Sequence, residues 1–446
     1  MKKIIGMATE RVRNLVPGVY LDFAKVLTGT VSRGLLRGLF KLLVAGFLAP
    51  RAMGVLRSIY SLFRLAGSLA DLGLDYAMVR FVAAAMRKDL HGEKDQILKT
   101  VLGLKVLIAS GILILGNIFA REIAIWVLCD PELTIYVRLA FLAVAGKLLW
   151  KFISGYLSAH QDFGKAAFFL VTMPSIMLVW GLILISLNRF NLPTAIIIYL
   201  FAPAVTGFLW LPVLNREFLK YPFFNGKTIS RILRFSRWIY LADMAASVRG
   251  QAGTLLLKNT RLSGSLSAGE SAAGQYSFGS DLAGGMAMVS GALMTVLLPK
   301  ASSKKTSLEL KIFVRRAYMN MVILLIPLSL PLFLVKPFFL MLGHIKSSYL
   351  QYLPSLEVFV ILYVGGLFAI AVMPMRTVLY AMGKPYIETY TEIIAACLII
   401  SGSILLIPEY GFNGAAMAVL IQRMISFAVL LGYGMAALRR QGFEVS

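Results

Sequence analysis

Apolar stretches of about 18 residues or more recur along this chain from end to end, each long enough to cross roughly 30 Å of hydrocarbon. In lipid such stretches must be helices, because no water is available to satisfy open backbone groups. The pattern predicts an all-α, polytopic membrane protein of about twelve transmembrane helices. They fall near residues 24–49, 53–80, 98–119, 134–158, 166–188, 194–214, 235–257, 272–298, 314–336, 352–377, 385–407 and 413–437. Composition agrees, at 59% hydrophobic and 15% charged residues, where a soluble domain carries about a quarter charged residues. No loop has room for a soluble domain, so an ordinary soluble enzyme is excluded. Met1 to Pro17 holds Lys2, Lys3, Arg11 and Arg13 without an apolar core or cleavage site, which predicts a short helix on the membrane surface.

Orientation follows from lysine and arginine. With the N-terminus inside, basic residues in the inner segments outnumber those in the outer ones by roughly three to one, which fits both termini in the cytoplasm. The net charge of +24 is then mainly a topology signal, with attraction to anionic membrane lipids as a by-product. Basic residues scattered over the inner loops argue against nucleic acid as a partner. Cys129 falls in an outer loop and Cys397 in the middle of a span, which speaks against a disulfide between them. The three histidines lie far apart, and no metal-ligating or nucleotide-binding motif accompanies them, so no metal or other cofactor is expected.

The chain reads as a duplication. Gly164-Lys165 before span 5 recurs as Gly383-Lys384 before span 11, Arg80 recurs as Lys300, and Gly54 as Gly274, each about 220 residues on. Six spans per half put both halves in the same sense, predicting two six-helix bundles, an N-lobe over 1–222 and a C-lobe over 223–446. They would be related by a pseudo-two-fold axis along the membrane normal, with a central cavity between them.

Phe47-Leu-Ala-Pro-Arg-Ala-Met-Gly-Val55 and Leu69-Ala-Asp-Leu-Gly-Leu-Asp-Tyr-Ala-Met-Val-Arg80 resemble the opening of polysaccharide transporters. Leu379-Tyr-Ala-Met-Gly-Lys384 and Leu406-Ile-Pro-Glu-Tyr-Gly-Phe-Asn-Gly-Ala-Ala416 resemble their tail. The family sits in the multidrug/oligosaccharidyl-lipid/polysaccharide (MOP) superfamily, and the resemblance spans nearly the whole chain. It implies a flippase of the O-antigen repeat-unit type in the cytoplasmic (inner) membrane. The implied cargo is an undecaprenyl-pyrophosphate-linked oligosaccharide, turned from inner to outer leaflet with no bond made or broken. Other polysaccharide-assembly membrane proteins are candidate partners.

The residues themselves point to an anionic guest. Arg33, Arg37 and Lys41 are spaced i, i+4, i+8 and share one face of span 1. Charges at membrane depth cost about 2.5–3.5 kcal/mol each when lipid-facing, so this face must meet a wet cavity or acidic partners. Guanidinium groups suit phosphate oxygens through forked hydrogen bonds. Arg64 in span 2 and Arg249 in span 7 complete the candidate substrate-binding set. Arg57, near the outer end, is expected to snorkel, and Arg80, Lys25, Lys105 and Arg423 are expected to anchor at the interfaces. Lys258 is expected in an outer loop. Asp71, Asp243 and Asp281 are candidate ion-pair or ion-coupling partners, with a proton or sodium gradient as the energy source to be tested. Two readings compete with the flippase of repeat units. A multidrug exporter or lipid II flippase would share the fold, though cationic drugs ill suit a basic surplus. A membrane glycosyltransferase or polymerase would show a large outer domain and catalytic carboxylates, and neither is visible.

Overall fold

The structure is a computed structural model that describes residues 25, 28–222, 225–260, 265–302, 307–382 and 386–439. It is 91% helical, with no strand among the described residues. The N-terminal surface helix expected over Met1 to Pro17 and the landmark Gly383-Lys384 lie outside the described residues.

Helix α1 covers 28–47, and the chain turns at once into α2 (Pro50–Asp71), with Pro50 in the first turn, where its missing N–H costs nothing. The second span does not end at Asp71. Leu72 (φ 47°) and Gly73 (φ 68°) break it, and it resumes as α3 (Leu74–Arg87). A glycine suits the left-handed turn, and the close approach of Ser236 from a later helix leaves little space for a side chain there. α4 (His91–Ile118), the short α5 (Ala120–Trp126), α6 (Thr134–Ala159), α7 (Phe163–Ser186) and α8 (Leu192–Trp210) complete the first lobe.

The second lobe repeats this plan with longer and more broken helices. α9 (Gly226–Asn259) is followed by α10 (Leu266–Ala283) and α11 (Gly285–Ser302), one span interrupted at Gly284. α12 (Ser307–Ile345) holds Pro327, Pro331 and Pro337, and presents an almost wholly exposed apolar surface, as a lipid-facing helix must. α13 (Ser355–Ala371) and α14 (Met373–Ala381) meet at a bend of 42°. α15 (Tyr386–Arg439) holds the last two spans, divided at Gly411, whose backbone (φ 56°, ψ −132°) is open to glycine and hostile to other residues.

Among the described residues, six helices are long and apolar enough to cross a membrane by themselves, and the bent pair α13–α14 makes a seventh. α1, α2, α9 and α10 fall short of that measure because charged and small polar side chains interrupt them, and these four helices meet between the lobes.

Where the lobes meet, α2 crosses α10 at glycine. A side chain on Gly54 would strike the carbonyl oxygen of Glu270, and one on Gly274 would strike that of Pro50. The contact is reciprocal, as at a two-fold axis. The same end of the molecule is closed by further bonds between lobes. Ser348 Oγ donates to the Gly46 carbonyl (2.8 Å), Tyr352 Oη to that of Leu48 (2.6 Å) and Tyr349 Oη to that of Leu42 (3.2 Å). Arg51 reaches Glu270 at 2.8 Å, and Cys129 Sγ donates to Asn259 Oδ1 at 2.7 Å. Both cysteines are free.

Candidate functional site: a cationic chamber between the lobes

Below that closed end lies a chamber of about 890 Å³ of empty space, partly open to solvent. Six helices wall it. α1 contributes Arg37, Phe40 and Lys41; α2 contributes Arg57, Tyr60, Ser61 and Arg64; α7 and α8 contribute Met173, Met177, Tyr199 and Pro203. From the second lobe come Gly250, Gln251 and Thr254 of α9, and Tyr276, Ser277, Ser280 and Asp281 of α10. Four basic side chains thus face one carboxylate.

Local sequence explains the wall. Arg37 and Lys41 are one turn apart on α1, and Arg57 and Arg64 are two turns apart on α2, so each helix turns one charged face to the chamber. Asp281 accepts from both helices at once. Lys41 Nζ lies 2.7 Å from Oδ1, and Arg57 Nη2 bonds Oδ2. The Arg57 guanidinium also lies over the Tyr199 ring, 5.0 Å from its centroid, and Tyr199 packs against Phe40 and Tyr60 at 5.3 and 5.1 Å. Arg57 Nε and Tyr199 Oη are buried with no hydrogen-bond partner among the described residues.

A second chamber of about 1300 Å³ runs into the second lobe and shares Gly250, Tyr276 and Ser280 with the first. Arg249, Arg376 and Arg423 line it together with Glu392. Arg249 Nε donates to Glu392 Oε2 at 2.8 Å, and Arg423 Nη1 to the Leu362 carbonyl at 3.1 Å.

The candidates named from sequence therefore divide. Arg37, Lys41, Arg64 and Asp281 come together in the central chamber, and Arg249 stands at the junction with the second one. Arg33, one turn along α1 from Arg37, lines neither chamber and is half-buried. Asp243 on α9 is half-buried and lines neither of them as well. Asp71 belongs elsewhere. Inside the first lobe, Lys105 lies 2.9 Å from Asp71 and 2.8 Å from Asp75, while Lys151 lies 3.0 Å from Asp71.

Four sequence expectations are corrected here. Arg57 does not snorkel; it is 6% exposed and bound to Asp281. Lys105 is no interface anchor but the buried centre of the first-lobe cluster. Arg423 lines the second chamber instead of an interface. Lys258, expected in an outer loop, is fully buried against Glu270 at 2.8 Å. In each case the partner is remote in sequence or brought near only by helix packing, so spacing along the chain carried no signal.

A two-lobed helical bundle with a polar chamber between its halves defines the class as a transporter fold. The comparisons place the chain within that class. A family model of polysaccharide biosynthesis proteins matches residues 22–305, more than half of the chain, and the protein belongs to that family. The fold is similar to an inward-facing multidrug resistance MATE family transporter of the MOP superfamily. That match has 15% identity and a TM-score of 0.71, and covers 92% of this chain and 96% of that one. It is similar as well to the lipid II flippase MurJ in an inward closed conformation, at 14% identity and TM-score 0.69, over 92% and 87% of the two chains. A third likeness is to a MOP superfamily transporter from Pyrococcus furiosus whose reversed binding-pocket polarity suggests a different function, at 16% identity and TM-score 0.54, over 93% and 94%. No curated protein matches the chain in sequence. The protein is a multi-pass membrane protein of the polysaccharide biosynthesis family.

Proposed function

We propose that the protein is a flippase that carries an undecaprenyl-pyrophosphate-linked oligosaccharide, a polysaccharide or O-antigen repeat unit, from the inner to the outer leaflet of the cytoplasmic membrane. The observation that carries this reading is the charge of the central chamber, where Arg37, Lys41, Arg57 and Arg64 face Asp281 alone. Such a surplus held away from lipid is stabilised by a guest anion, and forked guanidinium donors match phosphate oxygens. A cationic drug would meet like charge, and the cost would exclude it.

The working cycle uses this chain's own groups. The pyrophosphate enters the chamber from the inner leaflet and is held by Arg37 and Arg64, while the prenyl tail stays in lipid. The sugars extend toward the second chamber, where Ser280, Ser290, Thr391 and Gln422 offer hydrogen bonds. The lobes then rock about the α2–α10 crossing and present the chamber to the other leaflet. The bias of basic residues assigns the closed end, with Cys129, to the outside. No covalent step is involved.

Arg37→Ala tests this directly. Export of the polysaccharide should fall at least tenfold in cells that still insert and express the protein. Arg37→Lys keeps the charge, loses the fork and should recover part of the export. Wild-type export by Arg37→Met would refute the cationic chamber.

A further inference from the structure

We infer that Asp281 is a built-in stand-in for the cargo's phosphate, and that exchange of one anion for the other couples loading to opening of the closed end. The inference rests on the flippase reading above and adds to it the place of the pyrophosphate and the step it triggers.

Three observations converge. First, Asp281 uses both carboxylate oxygens, one on Lys41 of α1 and the other on Arg57 of α2, so a second-lobe carboxylate pins the two first-lobe helices. Second, Arg57 is 6% exposed, lines the chamber and keeps its Nε without a hydrogen-bond partner among the described residues. A guanidinium in that condition is a fork occupied on one side only. Third, the triad lies directly below the closed end. Arg57 is one turn from Gly54 on α2, and Asp281 two turns from Gly274 on α10, the two glycines at which the lobes touch.

The chemistry follows. Buried Arg57 and half-buried Lys41 are held side by side, where they need an anion, and in the empty chamber Asp281 supplies it. A pyrophosphate diester brings more charge and more acceptor oxygens than one carboxylate, and it can use the spare Arg57 donor. It therefore takes Asp281's place on Lys41 and Arg57. The freed carboxylate no longer joins α10 to α1 and α2, and the lobes can part at the glycine crossing. An empty carrier stays latched, so its cycling without cargo is suppressed. A ligand that shifts a two-state equilibrium must bind the states unequally. Here the inequality is Asp281 itself, which competes with the cargo in the closed state only.

Cys129 is a native reporter. Half-buried, its Sγ donates to Asn259 at the closed end, so parting of the lobes there frees the thiol and raises its exposure. The experiment uses the full chain with Cys397→Ser, purified into lipid nanodiscs, and reads the rate of Cys129 modification by a charged maleimide. Inorganic pyrophosphate should speed the wild-type rate several-fold over chloride of equal ionic strength. Asp281→Asn should start fast and ignore pyrophosphate, while Asp281→Glu should behave as wild type. An unchanged wild-type rate with pyrophosphate overturns the inference, and so does slow labelling of Asp281→Asn. If Asp281→Asn does not fold, the wild-type pyrophosphate comparison decides. The two readings fail separately. Wild-type export by Arg37→Met sinks the flippase reading whatever Cys129 does. An unresponsive Cys129 with normal loss of export in Arg37→Ala sinks only the latch.

Discussion

Two clusters of charge are buried among the helices of this protein, and they are built to opposite rules. In the first lobe, Asp71 and Asp75 face Lys105 and Lys151. Asp71 and Lys105 are 1% and 3% exposed, and each carboxylate has a lysine within 3.0 Å. In the central chamber four bases face one acid, around open space. The first arrangement is complete without a ligand, whereas the second is not. The lesson is that a charge in a membrane span indicates function by its stoichiometry and its access to space, since burial alone, shared by Arg57, Asp71 and Lys105, fails to separate the two.

The comparison breaks most easily at Lys105. Lys105→Met leaves two carboxylates sharing Lys151, and removal of one partner from a buried ion cluster costs about 3–5 kcal/mol. The variant should unfold at a much lower temperature in detergent and reach the membrane in reduced amount. Arg64→Gln in the chamber is the counterpart, because the side chain is exposed and, among the described residues, the bond the residue takes part in is from Lys147 to its backbone oxygen at 3.1 Å. It should melt as wild type and export poorly. If the two variants exchange these phenotypes, the roles assigned to the two clusters are reversed.

A smaller effect is expected at the glycine crossing. An added methyl at Gly54 meets the Glu270 carbonyl, and at Gly274 that of Pro50, so neither finds a flexible neighbour to yield. Overpacking of this kind costs about 1–3 kcal/mol. Gly54→Ala and Gly274→Ala should each raise Cys129 labelling by the same factor, since their contacts are reciprocal. The double variant should fall short of the sum, because once the helices have moved apart the second methyl meets less resistance. Unequal single effects would show that the crossing is not the axis of the two lobes.

What was legible in the sequence divides along the same line. The helical class was legible because apolar runs are local, and a constant offset marked Gly54 and Gly274 as equivalent positions without announcing that they touch. The shared face of Arg37 and Lys41 was legible because one turn of helix is local as well. Arg57 was misjudged because its partner Asp281 lies 224 residues away, and nothing near Arg57 in the chain announces it. Lys105 was misjudged for the same reason, since Asp71 is 34 residues off on another helix. The break at Leu72–Gly73, which sets Asp71 and Asp75 on separate helices around Lys105, was hidden within an apolar run that reads as continuous. Burial and pairing of charges are tertiary facts, and in a membrane chain they decide which charges are free to bind.

The smallest effect should come from a third kind of pair, outside the membrane. Between α6 and α7, Asp162 accepts from the Lys165 backbone at 3.1 Å, and its carboxylate lies 2.9 Å from Lys165 Nζ. The hydrogen bond from the Lys165 side chain, followed by that from its backbone, holds the Asp162 carboxyl below its ordinary range. A depressed carboxyl stabilises the fold above its unfolded value of about 3.9 and loses that contribution as pH falls through the folded value. Nothing should therefore change between neutral pH and about pH 5.5. Both partners are exposed to water, where such pairs are screened. Asn retains the cap on the helix start, so Asp162→Asn should shift the melting temperature by less than about one degree at either pH. A shift as large as that of Lys105→Met would mean that charge pairing, rather than burial, ranks these clusters, and the contrast between the lobe interior and the chamber would lose its physical basis.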